Sequence, residues 1–308
     1  MSVGPRGGRE RSCLLEHDMA EEASEAVAER KALGELVRAT LSRLCRTGRL
    51  PALASVATAA LTVARDPDSD VDDLTRLVQS DVGLAARILR VANSAGYGRR
   101  KHARTIHDAV ITVGLRPTCA ILVAVCVRQL YAEPGQHTEV LWNHSLAVAL
   151  AAEELARVSR DVRPDVGFLS GLFHDVGRIA LRVADAPSFG VIQGLVDETG
   201  GRSTELEKEW YGFDHAQAGA ILTEDWGLAL DQCDAIRWHH DPAGAGAYRN
   251  LATVINAADS LAYSMGYGTY AEPAPDVSMA PLGLSPEEEA ECAARVREAF
   301  KVQRQLIG

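Results

Sequence analysis

The chain has 308 residues, 47% of them hydrophobic but only 5% aromatic, and a formal net charge of −10. This is enough apolar material for a substantial core, and the recurrence of Ala, Leu and Val with so few aromatics favours closely packed helices, an all-α fold. The acidic balance gives no general attraction for phosphate backbones, and the one dense basic run is Arg99-Arg100-Lys101, so nucleic acid is not expected as a primary partner.

The six cysteines are far apart and form no C-x-x-C pair, the usage of reduced cytosolic thiols. No apolar run reaches the roughly 18 to 20 residues that cross a bilayer, since Arg128 closes the best one, Ala120 to Val127. The N-terminus is basic without the apolar stretch of a signal peptide, so the expected location is cytoplasmic.

Residues 1–30 read as a disordered or partly helical extension, Gly- and Arg-rich at first and then acidic and Ala-rich from about Glu21. A helical group is expected over 31–132. Its helices are Lys31 to Cys45, one opened by Pro51 and carried by Ala52 to Ala64, Val71 to Gln79, a run capped by Ser80-Asp81 and ended by Gly96 and Gly98, Thr105 to Gly114, and Pro117 to Tyr131. EPGQH, Glu133 to His137, is a turn-rich boundary. The second group, 138–266, reads as helices at Glu139 to Val158, Asp165 to Val183, Ser188 to Glu198, Thr204 to Tyr211, Asp214 to Trp226, Leu230 to His240 and Asn250 to Met265. Thr204 with Glu207 fits a capping box. Residues 267–308 open on a Gly- and Pro-rich segment, after which Ser285 with its following Pro-Glu-Glu announces a C-terminal helix.

Five of the nine histidines, His144, His174, His215, His239 and His240, lie in the second group, most of them within or beside apolar helical patterns. In GLFHDVGRIAL, His174-Asp175 follows Leu172 and Phe173 and precedes Val176 and Ile179, so at least one polar group points inward. Taken singly, the residues have plainer explanations. His144 sits near a helix start, His215 follows the natural cap Asp214, and His239-His240 suits a helix C-terminus. Asp259, in INAADSLA, is harder to explain this way because its neighbours are apolar. Together the seven residues favour a ligand cluster, since imidazoles beside carboxylates suit iron, manganese, zinc or nickel.

The order H…HD…H…HH…D resembles the HD superfamily of metal-dependent phosphohydrolases, specifically its bacterial HDOD (HD-related output domain) branch. LPALASVATAAL, DLTRLVQSDVGLAARILRVANSAGYG and IHDAVITVGL are similar to the N-terminal HDOD region; LWNHSLAVALAAEELA, FLSGLFHDVGRIAL, YGFDHAQAGAIL and AIRWHHDP are similar to the HD-like half. The resemblance implies two packed helical groups. It also implies that His144, His174, Asp175 and Asp259 ligate one divalent metal, and that in two-metal relatives His215, His239 and His240 hold a second ion with Asp175 bridging. The cyclic-dinucleotide-hydrolysing relatives carry lysine three positions after the HD aspartate and a Gly-Tyr-Pro signature; this chain has Arg178 and lacks the signature. Arg178 is left with two readings, a phosphate clamp or a carboxylate partner.

The resemblance implies a signal-transduction regulator acting through protein partners in trans or through a nucleotide or phosphoester ligand. Helices near Glu21 and from Ser285 are the candidate contact surfaces. The alternative is a metal-dependent phosphohydrolase with Asp175 and Arg178 in its catalytic machinery.

Overall fold

A computed structural model describes residues 31–43, 50–79, 81–94, 102–131, 136–269 and 282–307. Among these residues there is no strand, and every regular element is helical. The first group contains α1 (31–43), α2 (Ser55–Arg65), α3 (Val71–Val78), α4 (Val82–Ala92), α5 (Ile106–Val113) and α6 (Leu115–Val127), which runs into a 3-10 turn, Arg128–Tyr131. Then come α7 (Gln136–Ser159), α8 (Pro164–Phe173), α9 (Val176–Ala184), α10 (Ala186–Thr199), α11 (Ser203–Tyr211), α12 (His215–Asp225) and α13 (Leu230–Arg237). A 3-10 stretch, Pro242–Tyr248, precedes α14 (Arg249–Ser264) and α15 (Pro286–Ile307).

Several boundaries follow from local chemistry. Asp70, Asp81, Thr105 and Asp214 each accept a backbone N–H of the first turn, satisfying donors that the helix leaves open. Ser285 and Glu288 form the reciprocal cap of α15. Pro51 does not open a helix, and α2 begins at Ser55. Thr204 is not a cap either: α11 starts one residue earlier without a side-chain cap, because Glu207 is turned inward. The long helix expected over Asp165 to Val183 is two helices, α8 and α9, broken at His174-Asp175.

One core runs through the molecule. Buried residues of α2 to α6 (Leu61, Leu74, Ile88, Val123) and of α7 to α12 (Trp142, Leu155, Phe173, Ile221) belong to the same contiguous apolar cluster. Tyr131, at the end of the first group, packs on Trp142 with ring centroids 5.5 Å apart and shares a hydrogen bond with Ser145. Most of EPGQH, the acidic stretch from Glu21, Arg99-Arg100-Lys101, Cys13 and Cys45 lie outside the described residues. The remaining cysteines are buried and form no disulfide among the described residues. Among the described residues no single helix is long and apolar enough to cross a membrane. The C-terminal helix lays Cys292, Val296, Phe300 and Ile307 against the core and packs on α7, so only its charged side faces outward.

Two helix crossings set up the site. α8 lies on the Ala-rich face of α7 so closely that a Cβ at Gly171 would sit 2.9 Å from the Val148 carbonyl oxygen. α9 crosses α12 more tightly still, where a Cβ at Gly177 would sit 1.9 Å from the His215 carbonyl oxygen. Small residues permit these backbone approaches, which bring His174 beside His144 and Asp175 beside His215.

Candidate metal centre

Five elements converge on one buried point. α7 contributes His144, the break between α8 and α9 contributes His174 and Asp175, α12 begins with His215, the turn after α13 carries His239 and His240, and α14 presents Asp259. His144, His174, Asp175, His215, His239 and Asp259 are all buried, whereas His240 keeps an exposed edge. Asn256 on α14 donates to the His239 carbonyl at 2.7 Å, fixing the turn that carries the last two histidines.

The outward nitrogens of four rings are occupied. The Nδ1 atoms of His144, His174 and His239 each lie 2.7 Å from a backbone carbonyl, of Tyr267, Gly171 and Ile236 respectively. His215 Nδ1 lies 2.7 Å from Glu207 Oε2. A carbonyl can only accept, so in those three rings Nδ1 carries the proton and Nε2 presents a lone pair inward. His144 Nε2 and His174 Nε2 then face one another at 3.2 Å. Two lone pairs at that distance repel, and a cation between them, or a proton on one, removes the conflict.

The inner atoms fall into three overlapping sets that could hold a metal: His144, His174 and Asp259; His174, Asp175 and His239; His215, His239 and His240. Around the first set, His144 Nε2 is 3.2 Å from Asp259 Oδ1, and Asp175 Oδ2 is 3.7 Å from both His144 Nε2 and His174 Nε2. Donors about 2.1 Å from a shared ion would be separated by about 3.0 to 3.4 Å, so the spacing fits with small adjustments. His239 Nε2 is buried without a hydrogen-bond partner, and Asp175 Oδ1 and Asp259 Oδ1 meet only imidazole nitrogens, of His215 at 3.1 Å and of His144 at 3.2 Å. Buried acceptors so sparsely met are costly unless something electropositive joins them.

The electrostatics follow the same geometry. Burial opposes the charge on Asp175, but the Arg178 guanidinium, with Nε 2.9 Å from Oδ2, and the neighbouring histidines hold its carboxyl well below the usual range. Asp259, likewise penalised by burial, is lowered by His144. Burial pushes His174 down and drives His239 to about 4, helped by adjacent imidazoles, so both are neutral donors near pH 7. In His144, burial is outweighed by Asp259 and Asp175, and the ring is raised. In His215, burial and Arg178 are outweighed by Glu207 and Asp175, and the ring rises to about 10.

Glu207 was hidden from the sequence reading behind the capping-box pattern. It is fully buried, and Oε2 accepts both the His215 backbone N–H at 2.8 Å and its ring Nδ1–H at 2.7 Å. Its one visible signal is spacing: Glu207 falls on the inward face of α11 with Ser203 and Tyr211, where a solvated acid would not be placed. Arg178 is 2% exposed and sits against Asp175, so its position serves the carboxylate-partner role.

A family model described as the HDOD domain matches residues 50–242. The chain belongs to the HDOD family. The HDOD match ends before Asp259, yet the fold carries Asp259 into the centre. Among curated proteins, an uncharacterized protein of Treponema pallidum (strain Nichols) is 26% identical over 212 residues, covering 68% of this chain and 41% of that relative, so the chain spans less than half its length. Among solved structures, an HDOD domain protein of unknown function from Geobacter sulfurreducens superposes with a TM-score of 0.73 at 23% identity, covering 90% of this chain and 97% of that one. A candidate phosphohydrolase from Shewanella amazonensis SB2B gives 0.66 at 23% identity, covering 87% and 98%. These likenesses show the HDOD fold.

Proposed function

We propose that the protein is a bacterial signalling regulator whose His/Asp centre holds a divalent transition metal, iron, manganese, zinc or nickel, and whose output passes to protein partners or depends on a nucleotide ligand. The observation that carries the metal reading is the convergence of inward imidazole nitrogens and buried carboxylate oxygens from His144, His174, Asp175, His239 and Asp259. Burial supports a held ion over turnover, since closed sites surrounded by protein donors are typical of structural metals. Support for a partner comes from α10 and α11, where Leu195 and Trp210, 36% and 52% exposed, line an outward groove with Leu206.

A second reading, metal-dependent phosphohydrolase, is favoured by the retained ligand set and the exposed edge of His240. A bound ion would polarise a phosphoryl oxygen and activate water. In that reading Asp175 holds and orients, Arg178 stabilises Asp175, and the carbonyls of Gly171 and Ile236 fix the tautomers of His174 and His239. Turnover of phosphoesters by metal-loaded wild type, compared with Asp175→Ala, separates the two readings. The regulator reading expects stoichiometric metal and no turnover. Hydrolysis that is abolished in a still-folded Asp175→Ala protein would establish the enzyme.

Metal binding should also depend on pH in a defined direction. His215 rises to about 10 and holds an extra proton near pH 7, and His144 is raised by Asp259 and Asp175, so a metal ligated by His215 must expel a proton and one ligated by His144 competes with protons for the same ring. Protons therefore compete with the ion as pH falls, and occupancy is expected to drop below about pH 6 while metal loading releases protons into a weak buffer. An occupancy flat from about pH 8 to pH 5 would contradict a histidine-rich site.

A further inference from the structure

His144 is gripped by α14 and by the turn that ends it. Its Nε2 lies 3.2 Å from Asp259 Oδ1, its ring crosses that of Tyr263 edge to face with centroids 5.4 Å apart, and its Nδ1 lies 2.7 Å from the Tyr267 carbonyl oxygen. The turn depends on Gly266, whose φ of +86° is left-handed and would strain an L side chain. The Gly266 and Tyr267 N–H groups donate back to the carbonyls of Tyr263 and Ala262, each at 2.9 Å, which closes α14 and brings the Tyr267 carbonyl to His144. Two contacts pin the segment that follows. Tyr263 shares a hydrogen bond with Thr269 at 2.9 Å, and a Cβ at Gly268 would sit 2.7 Å from the Tyr263 ring.

The Tyr267 ring packs on the buried Phe300 of α15, with centroids 4.2 Å apart. One residue thus reaches His144 through its carbonyl and the C-terminal helix through its side chain. α15 lies on α7, which carries His144, and on α4 of the first group. Its seat is incomplete: a cleft of about 300 Å3 opens between α4, α7 and α15, and Gln303, which lines it, has a buried carboxamide oxygen without a hydrogen-bond partner. The ion pairs from α15 to α7, Arg295 with Glu154 and Arg304 with Glu139, use arginines about half exposed and add little. The apolar strip that includes Val296 and Phe300 therefore carries most of its docking. Tyr267 and Phe300 both lie beyond the residues that the family model matches.

Resting on the metal reading above, we propose that Tyr267 and Phe300 are positioning residues that couple α15 to the metal centre, so that the docking of α15 and metal binding at His144 strengthen each other. The carbonyl fixes the ring and its tautomer, and the ring pair with Phe300 fixes the carbonyl. Linkage makes the effect reciprocal: seating α15 tightens metal binding, and a bound metal seats α15 to the same extent. The C-terminal helix then serves signalling through its buried side, as the element by which occupancy of the centre is set and read.

The test titrates the full chain with Mn2+, or with Zn2+ if wild type takes up no Mn2+, and follows both metal affinity and amide hydrogen exchange in α15. Phe300→Ala is expected to weaken metal binding about 10- to 100-fold, the usual cost of losing support behind a ligand, and Phe300→Leu to recover part of that loss. Val296→Ala, which thins the same buried strip but leaves the ring pair intact, should bind metal as wild type does. Metal loading should slow exchange in α15 severalfold in wild type and leave it unchanged in Phe300→Ala. Circular dichroism identifies any variant that fails to fold, and the wild-type exchange decides the proposal even then. Wild type that binds metal with no change in α15 exchange overturns the coupling and leaves the metal reading intact, as does a folded Phe300→Ala with wild-type affinity or an equal loss in Val296→Ala. A wild-type chain that binds none of manganese, iron, zinc and nickel overturns the metal reading, and the coupling with it.

Discussion

Replacing Gly177 with alanine is expected to destabilise the protein by about 3 kcal/mol or more, at or beyond the upper end of what core overpacking usually costs. The added methyl would lie 1.9 Å from the His215 carbonyl oxygen and 2.7 Å from the Gly219 nitrogen, two atoms of the α12 backbone. No side-chain rotation relieves a clash with backbone, so α9 must move away from α12 and carry Asp175 off His215. Gly190→Ala is the matched control. It lies on the exposed side of α10 with nothing within 4 Å of the new methyl, and should be neutral or stabilising by about 0.5 to 1 kcal/mol through helix propensity. Urea unfolding of the two variants measures the contrast, and a Gly177→Ala protein within about 1 kcal/mol of wild type would show that the crossing is looser than described.

The second large effect is expected at Glu207. Glu207→Ala removes the acceptor of two bonds from His215 in a region closed to water, leaving the backbone N–H and the ring Nδ1–H unmet. Breaking a buried, charge-assisted contact of this kind costs about 3 to 5 kcal/mol. Glu207→Gln keeps an acceptor oxygen and should recover a substantial part of that loss. The charge also raises His215, so in either variant the His215 titration, followed by NMR, should move down from about 10. An unchanged His215 titration in folded Glu207→Gln would mean that Asp175 alone sustains the raised value.

The places where sequence and structure part company have a common physical origin. Patterning locates helices well when one face is apolar and the other solvated, as in α3 with its Asp70 cap, or when a terminus has its own chemistry, as at Ser285. It fails where both faces are buried. In α8 all residues from Gly167 to Phe173 are buried, so there is no periodicity to lose at the point where the helix stops, and the break at His174-Asp175 cannot be read. That break is what aims the two side chains at the centre. Glu207 was masked by a different effect, because Thr-x-x-Glu describes a solvated cap as readily as it conceals a buried acid. Asp259 was legible for the opposite reason: a lone acid among Ile255, Ala257, Ala258 and Leu261 has no local partner, and the structure supplies a distant one in His144. All seven expected ligand positions come together, but the buried Arg178 beside Asp175 and the buried Glu207 behind His215 are partners that only the three-dimensional arrangement reveals.

The central claim is that these side chains hold a metal ion. Elemental analysis of the full chain, purified without chelator and dialysed against metal-free buffer, tests it most directly. The account predicts close to one divalent transition-metal ion per chain, lost in a folded His174→Ala variant and accompanied in wild type by a fall in melting temperature on chelation. Folded wild-type protein that retains no stoichiometric iron, manganese, zinc or nickel, even after incubation with each, would contradict it.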